Sequence, residues 1–584
     1  MKVVKTRLDL KNDDTKSNVI LLGTWCIKNN LELLKNIKSY NVFPYHWANK
    51  DKFKKDYTYL DKIYEKKLAE CTNILNKIHK TNKNQRYWRI VIGPWLRFFI
   101  DSLFDRYECI RLSYDDQPNS FFTLYNYEQN PPKDFEEFYE GLVSDYWNEI
   151  IFSECVKYLG LPHNISGDLS KPEKVFPHKK SFLRKIIDKS LMFYQFLISK
   201  LNNKIVIFSP YTSTFKTIRL QRSLVKFPFL ITPEIKITNR RISESKRKYF
   251  IFNNINDDFE EFLSTQICKN IPLAYVENFN MIKSQVLKEY PRFPKVIFTA
   301  NAYQSIESFK IWSAEMTSKN AKLFIGQHGG TFGLSLLNQT EKHQIKIADK
   351  FISWGWSSKE HKNVVYLPSL KLKSEPKKTF QRDNGKIIHV LGSVPRFFYN
   401  YFSMPLASEY IDYLRNQIIF LKKLNDFNLS RLEIRQDNTG KKWDWAVDDI
   451  LKDHGFKKNI SRKKIPLFDQ LRGASLSVST HNGTVPLETL ALNFPTIIFW
   501  DKNHYQLRKE ASQKVSSLKE VGIFYDCPKR AAQHINDIAN NVSSWWYQEN
   551  LQVVLKEFTR EYALSAQDPV RVWQDFLLDE SAKE

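Results

Sequence analysis

Glycine and cysteine are both scarce in this chain of 584 residues, and each scarcity limits what the protein can be. With only 17 glycines in all, the cluster from Gly326 to Gly333 stands out. The six cysteines are scattered, form no CxxC pair and supply no plausible set of zinc ligands. We therefore expect reduced thiols in a cytoplasmic protein, without a disulfide framework and without a metal.

Long apolar runs are missing as well. The most apolar stretch, Tyr87 to Phe104, is interrupted by Arg89, Arg97 and Asp101, so it does not predict a membrane span. The charged N-terminus lacks the apolar segment of a secretory signal. We expect a cytoplasmic location and leave open a peripheral contact at the inner face of the membrane.

Acidic residues are too few to balance the basic ones. Lys and Arg number 89 against 64 Asp and Glu, a net charge of +25 with a pI of about 9.4. This excess favours an anionic partner, such as a nucleotide-sugar, an anionic glycan, a nucleic acid or an acidic membrane surface. The sequence has no zinc-finger spacing, RNP-like strand or helix-turn-helix signal, so we expect no nucleic-acid partner.

What is present is an alternation of strand-like runs and amphipathic helical stretches, in two blocks. The first block has strand-like runs at 19–22, 204–208, 295–298, 322–325, 350–354 and 364–367, and the second at 386–391, 431–435, 474–478, 495–500 and 522–525. Such alternation predicts an α/β fold with two Rossmann-like parallel sheets facing a cleft.

The boundaries follow from where the pattern restarts. Residues 1–375 form the predicted N-terminal acceptor domain, with a long helical insertion at about 24–200. A polar linker at 371–384 separates it from a nucleotide-sugar-binding domain at 385–535. Residues 536–584 are predicted as helices that pack back.

The most informative segment is the loop from Ser479 to Glu488, between a strand and a helix. A helix N-terminus favours a phosphate, and Gly483 lets the backbone come close to it. A hydroxyl at Thr484 and a carboxylate at Glu488, one turn further on, suit a nucleotide-sugar. The predicted donor-binding residues here are His481, Asn482, Gly483, Thr484 and Glu488, although an ordinary helix cap fits the same pattern.

A second loop, Gln327 to Gly333, follows the strand at 322–325. Its glycines cost backbone entropy, so we expect a ligand to approach the backbone of Gln327, Gly329 and Gly330. His328 would lie at the carboxyl end of the strand, where it could act as a base near neutral pH. A structural turn with a hydrogen-bonded histidine is the alternative.

Three further residues complete the predicted site. Arg396 follows the first strand of the second block, where its charge could neutralise a nucleotide phosphate. Glu341 and His343 follow the glycine loop, and they could orient His328 or serve as the base. The alternatives are that Arg396 is an ordinary surface arginine and that Glu341 and His343 belong to a charged helix cap.

Several motifs resemble a little-studied family of bacterial transferases. They are Gly23-Thr24-Trp25-Cys26, Arg86-Tyr87-Trp88-Arg89, Gln327-His328-Gly329-Gly330, Trp354-Gly355-Trp356 and the run from His481 through Leu487-Glu488-Thr489 to Asn503-His504-Tyr505. The resemblance covers residues from about 18 to about 510. Members of this family lie near genes for surface carbohydrates and sialic-acid-like nonulosonates, so it implies a role in making such carbohydrates. More distantly, the chain is similar to GT-B transferases that use CMP-activated acidic sugars.

Together these features predict a metal-independent, GT-B-like glycosyltransferase that needs no cofactor besides its nucleotide-sugar donor. The donor would carry an acidic, CMP-linked sugar destined for a cell-surface glycan. Two alternatives stay open: a glycerophosphotransferase using CDP-glycerol, and a basic polyanion-binding protein without catalysis.

Overall fold

The structure, a computed structural model, describes residues 1–11, 14, 18–27, 37, 39–170, 182–201, 203–233, 235–374, 383–436, 443, 445–461 and 465–583. Three five-stranded sheets, all parallel, organise this part of the chain. Within it, no helix combines the length and apolar character needed to cross a bilayer. The predicted α/β class with parallel sheets is confirmed.

The structure has three sheets where two were predicted. Of the first sheet the sequence predicted only the run at 19–22, which it grouped with the strands from residue 204 onward. The strand order of the first sheet is β3-β2-β1-β4-β5, from β1 (Lys2–Val4), β2 (Asn18–Leu21), β3 (Ser39–Val42), β4 (Phe121–Asn126) and β5 (His163–Asp168). The segment 24–200, predicted as a helical insertion, therefore contributes three strands as well as helices. Two features hid the other strands from prediction. Strand β1 spans only three residues, and the edge strands β3 and β5 are largely exposed, so these two edge strands carry no buried apolar run.

We call residues 1–201 the first unit, 203–374 the second and 383–541 the third. In the first unit the helix Asp145–Tyr158 contacts β4 of the sheet. The longest helices of this unit begin at asparagine caps, since the side chains of Asn49 and Asn84 accept hydrogen bonds from the first-turn backbone N–H groups. The helix Gln85–Asp116 is buried along most of its length and packs against both the first and second units. The helices of this region are Lys50–His79, Gln85–Asp116, Phe135–Leu142, Asp145–Tyr158 and Phe182–Ser199.

The second sheet has the order β10-β9-β8-β7-β6. Its strands are β6 (Ile205–Phe208), β7 (Val296–Thr299), β8 (Lys322–Gly326), β9 (Lys350–Ser353) and β10 (Val364–Tyr366). Buried Val, Ile and Phe fill the inner strands, as expected for a parallel sheet covered on both faces. Its helices are Thr214–Arg222, Glu244–Arg247, Asp258–Asn270, Phe279–Glu289, Ala302–Ser305, Glu307–Thr317 and Gln339–Ile347.

The third sheet has the order β12-β11-β13-β14-β15, from β11 (Lys386–Val390), β12 (Leu432–Arg435), β13 (Ala474–Ser479), β14 (Thr496–Phe499) and β15 (Phe524–Tyr525). In this order the connections change sides between β11 and β13, and ligands of such sheets bind at the carboxyl ends of those two strands. The helices are Tyr410–Lys423, Asp426–Ser430, Val447–Asp453, Leu467–Leu471, Thr484–Ala491, Lys509–Glu520 and Pro528–Ile538.

Three last helices, Val542–Trp546, Glu549–Tyr562 and Pro569–Ala582, join the second and third units. The helix Glu549–Tyr562 packs on Lys509–Glu520 of the third unit. The final helix packs on Thr214–Arg222 of the second unit, where the ring of Trp573 lies 4.7 Å from that of Phe298. Most of the predicted linker, residues 375–382, falls outside the described residues.

Candidate functional site

The two glycine-containing loops meet directly across the junction between the second and third sheets. A Cβ added at Gly330 would lie 1.9 Å from the carbonyl oxygen of Gly483 and 2.8 Å from the backbone nitrogen of Thr484. One step further along, the Asn482 amide donates to the Ser335 hydroxyl at 3.2 Å. The structure thus brings together the predicted base loop and the predicted donor loop, at the carboxyl edges of β8 and β13.

This contact makes Gly330 a sensitive position. We expect Gly330→Ala to push the loops apart, because the new methyl group would overlap backbone atoms that cannot rotate away. Overpacking of this kind costs about 1–3 kcal/mol of folding free energy. Denaturant unfolding measures the loss, and Gly473→Ala is the matched control, since a Cβ there meets no described atom within 4 Å. Equal stability of the two variants would contradict the contact.

His328 lies in an aromatic pocket behind the loop. Its ring centroid is 5.2 Å from Phe332, 6.0 Å from Tyr303 and 6.1 Å from Tyr211. Burial lowers the pKa of His328 to about 4, although the Gln344 side chain opposes the shift. The imidazole is therefore neutral at physiological pH and able to accept a proton.

Tyr303 and His343 extend this pocket. The two rings stack with centroids 6.0 Å apart, and burial lowers the pKa of His343 to about 3. Among the described residues, His328 Nδ1, Tyr303 Oη and His343 Nε2 are buried without a hydrogen-bond partner. Each of these three atoms is available to hydrogen-bond a polar ligand. Tyr303 was not predicted, and its signal in the sequence was its position just after strand β7.

Glu341 and Gln327 hold the loop in place and do not point to chemistry. The buried Glu341 carboxylate accepts the Gly333 N–H at 2.7 Å and pairs with Arg508. Gln327 is also buried, and its side chain accepts from Trp354 and Trp356 while donating to the Gly329 carbonyl. The alternative structural reading therefore accounts for both residues better than a catalytic one.

In the third sheet, the connections change sides between β11 and β13, and we call the carboxyl ends of these two strands the switch point. It is tightly packed. The His481 ring packs against two glycines, since a Cβ at Gly392 would lie 2.9 Å from its Cβ and one at Gly483 2.5 Å from its Cδ2. The Gly392 N–H donates to the Tyr413 hydroxyl at 2.6 Å, and Tyr413 also hydrogen-bonds Thr480. These bonds fix the backbone at the carboxyl ends of β11 and β13.

The helix Thr484–Ala491 begins beside this point, with Gly483 as a cap that offers no side chain. Its N-terminal N–H groups and dipole favour an anion there. Glu488, one turn on, is partly exposed, and its carboxylate lies 3.2 Å from Lys371 Nζ. Burial and the nearby charges of Lys373 and Lys371 lower the pKa of Lys216, so several cations gather at this edge of the junction.

Arg396 has a different role from the predicted one. Its guanidinium is buried and donates to Asp145 at 2.6 Å and to the Trp25 carbonyl at 2.9 Å, both in the first unit. Arg7 shares the same carboxylate. This position corrects the assignment of Arg396 to a donor phosphate: the side chain ties the third unit to the first.

Among the described residues, one group of side chains has metal-ligand chemistry. The ligand atoms of His46, Asp105 and Cys109 lie within 4.8 Å of one another and are buried. Asp105 accepts from Tyr45 and pairs with Arg106 and His46, so a structural hydrogen-bond network accounts for this group.

The parallel sheets, with the carboxyl edges of β8 and β13 meeting beside a helix N-terminus and the partly buried His328, define an α/β protein. The sequence matches a transferase family over residues 1–577, and the chain belongs to that family, the LIC12162 family transferases. No curated protein matches its sequence.

Solved structures that resemble the fold share little sequence with it. An O-GlcNAc transferase variant from Thermobaculum terrenum is 8% identical, with 90% of this chain and 98% of that chain covered and a TM-score of 0.34. MurG from Acinetobacter baumannii is 10% identical, with 68% and 96% covered and a TM-score of 0.30. WaaG, a glycosyltransferase involved in lipopolysaccharide biosynthesis, is 12% identical, with 64% and 97% covered and a TM-score of 0.28.

Proposed function

We propose that the chain is a glycosyltransferase that moves an acidic, CMP-activated sugar onto a surface glycan. The observation that carries the proposal is the direct meeting of the Gly330 and Gly483 backbones. This contact brings the pocket of the neutral His328 close to the N-terminus of the helix Thr484–Ala491. Glycosyl transfer needs both, because a base must deprotonate the acceptor hydroxyl and positive charge must stabilise the leaving phosphate.

The third unit is the better half for the donor. Its switch point lies between β11 and β13, and the helix Thr484–Ala491 starts there. A nucleotide phosphate on the first N–H groups of this helix would be stabilised by the dipole without a metal. The Thr484 hydroxyl would add one hydrogen bond.

Charge supports an acidic sugar. Lys371 reaches Glu488 from the second unit, and Lys371 and Lys373 both lie close enough to Lys216 to lower its pKa. Glu488 and Asp469 balance part of this positive charge. A carboxylate on the transferred sugar would neutralise more of it, and this favours an anionic donor.

The test is nucleotide binding by Thr484→Ala and Glu488→Ala, measured by calorimetry after a thermal-shift screen of CMP, CDP, UDP, GDP and TDP. Losing one hydrogen bond to a charged group should weaken binding by about 1.5–3 kcal/mol. Thr317→Ala, which removes a hydroxyl from a helix of the second unit, is the matched control. Unchanged affinity in both site variants would remove the donor from this loop, and preference for CDP-glycerol would favour glycerophosphate transfer.

A further inference from the structure

The helix Phe182–Ser199 turns its apolar face toward solvent over the part whose side chains are described, from Lys189 onward. Met192, Phe193, Phe196 and Leu197 are exposed, with 65% of Phe193 accessible. Gln195, in contrast, is 1% exposed. The helix packs on the core through Ile198, which is buried, so the four exposed apolar side chains form a second apolar face that is left uncovered.

A neighbouring loop enlarges the exposed surface. The Tyr194 hydroxyl of the helix donates to the Pro228 carbonyl at 3.1 Å, which ties the helix to residues 227–230. Phe227 and Leu230 of that loop are also exposed. We call these side chains the apolar patch: Met192, Phe193, Phe196, Leu197, Phe227 and Leu230. Contiguous apolar surfaces of this kind mark interaction sites.

Basic side chains lie along the apolar patch. Between Lys189 and Thr232 the sequence has no Asp or Glu, and its basic residues there include Lys189, Lys200 and Lys226. Two of these lie on rings of the patch, since Lys200 Nζ is 4.5 Å from the centroid of Phe196 and Lys226 Nζ 5.9 Å from that of Phe227. Aromatic and aliphatic side chains with a rim of lysines are what an anionic bilayer surface binds.

From this geometry we infer that the apolar patch docks the protein on an anionic lipid surface. The phenylalanines would enter the boundary between headgroups and acyl chains, while the lysines contact lipid phosphates. A second copy of the chain fits less well, because a two-fold contact through this patch would bring two basic rims together. The helix Phe182–Ser199 packs on Phe279–Glu289 of the second unit, so docking would place that unit, whose sheet also carries His328, beside the membrane.

Co-sedimentation with vesicles tests the inference without reference to catalysis. The full chain should bind vesicles of phosphatidylcholine mixed with phosphatidylglycerol more tightly than vesicles of phosphatidylcholine alone, and less tightly as salt is raised. The double variant Phe193→Ser and Phe196→Ser should bind about tenfold more weakly or worse. Phe427→Ser, which changes an exposed phenylalanine of the third unit, is the matched control and should bind normally.

The outcomes separate this inference from the proposed function. Thr484→Ala should retain vesicle binding whatever happens to its nucleotide affinity. Equal vesicle binding by the double variant and the full chain, with melting temperatures unchanged, would overturn docking through this patch. Docking would also be overturned if the unmodified protein did not bind anionic vesicles and the double variant had a different oligomeric state by light scattering. The patch would then join two copies of the chain.

Discussion

His328→Ala is expected to lower turnover by about 10²–10⁴-fold with nucleotide affinity unchanged. The reason is the position of His328 at the carboxyl end of β8, in a pocket where three buried polar atoms have no partner among the described residues. Removal of a general base affects the transition state more than the ground state. If His328 bound phosphate instead, affinity would fall together with rate.

The pH dependence adds a second readout. A base must be unprotonated, and burial lowers the pKa of His328 to about 4. The value of kcat/KM should therefore stay level below neutral pH and fall only as the pH approaches that pKa. His454→Ala, at an exposed position, is the control. Near-normal turnover in His328→Ala combined with a large loss in His343→Ala would assign the chemistry to His343.

Asp145→Asn is expected to lower the free energy of unfolding by about 3–5 kcal/mol, the usual cost of breaking a buried ion pair on one side. The Asp145–Arg396 pair is 2.6 Å long, and both side chains are buried. Burial alone would raise the pKa of Asp145, but Arg396 and Arg7 lower it below its usual value. The amide would leave Arg396 charged and uncompensated inside the protein.

Chemical denaturation measures this effect, and Asp412→Asn is its control. Asp412 pairs with Arg415 on the exposed surface, where such pairs contribute at most about 1 kcal/mol. Nucleotide affinity of the folded Asp145→Asn protein should match that of the parent. A variant of normal stability that loses nucleotide binding would return Arg396 to the donor site.

The strands of the second and third sheets could be predicted from the sequence, because they are covered on both faces. Strand β8 appears as a continuous apolar run and β13 as apolar residues alternating with serine, and a glycine-rich or polar loop follows each of them. The same reasoning predicted the two loops that meet at Gly330 and Gly483. The local sequence was sufficient to predict these strands and loops, because neighbouring residues determine both the burial of a strand and the chemistry of the loop after it.

The first sheet escaped prediction for the converse reason. Its edge strand β5 is exposed along most of its length and has no apolar run. Strand β1 is buried but spans only three residues, which is too short to predict a strand. The strand β4 does have an apolar run, Phe121 to Tyr125, but its partner β1 lies far away along the chain. Pairing over such a distance is settled by packing, which a local window does not contain.

The sequence by itself thus determined the α/β class, the positions of the strands of the second and third sheets and the two loops that follow β8 and β13. Tertiary structure alone decided which charged groups are available for chemistry. Arg396 and Glu341 have the residue types of a catalytic site, yet Asp145 and Arg508 neutralise them from positions distant in the chain. A buried charge requires a partner, and only the folded chain shows which partner it has found.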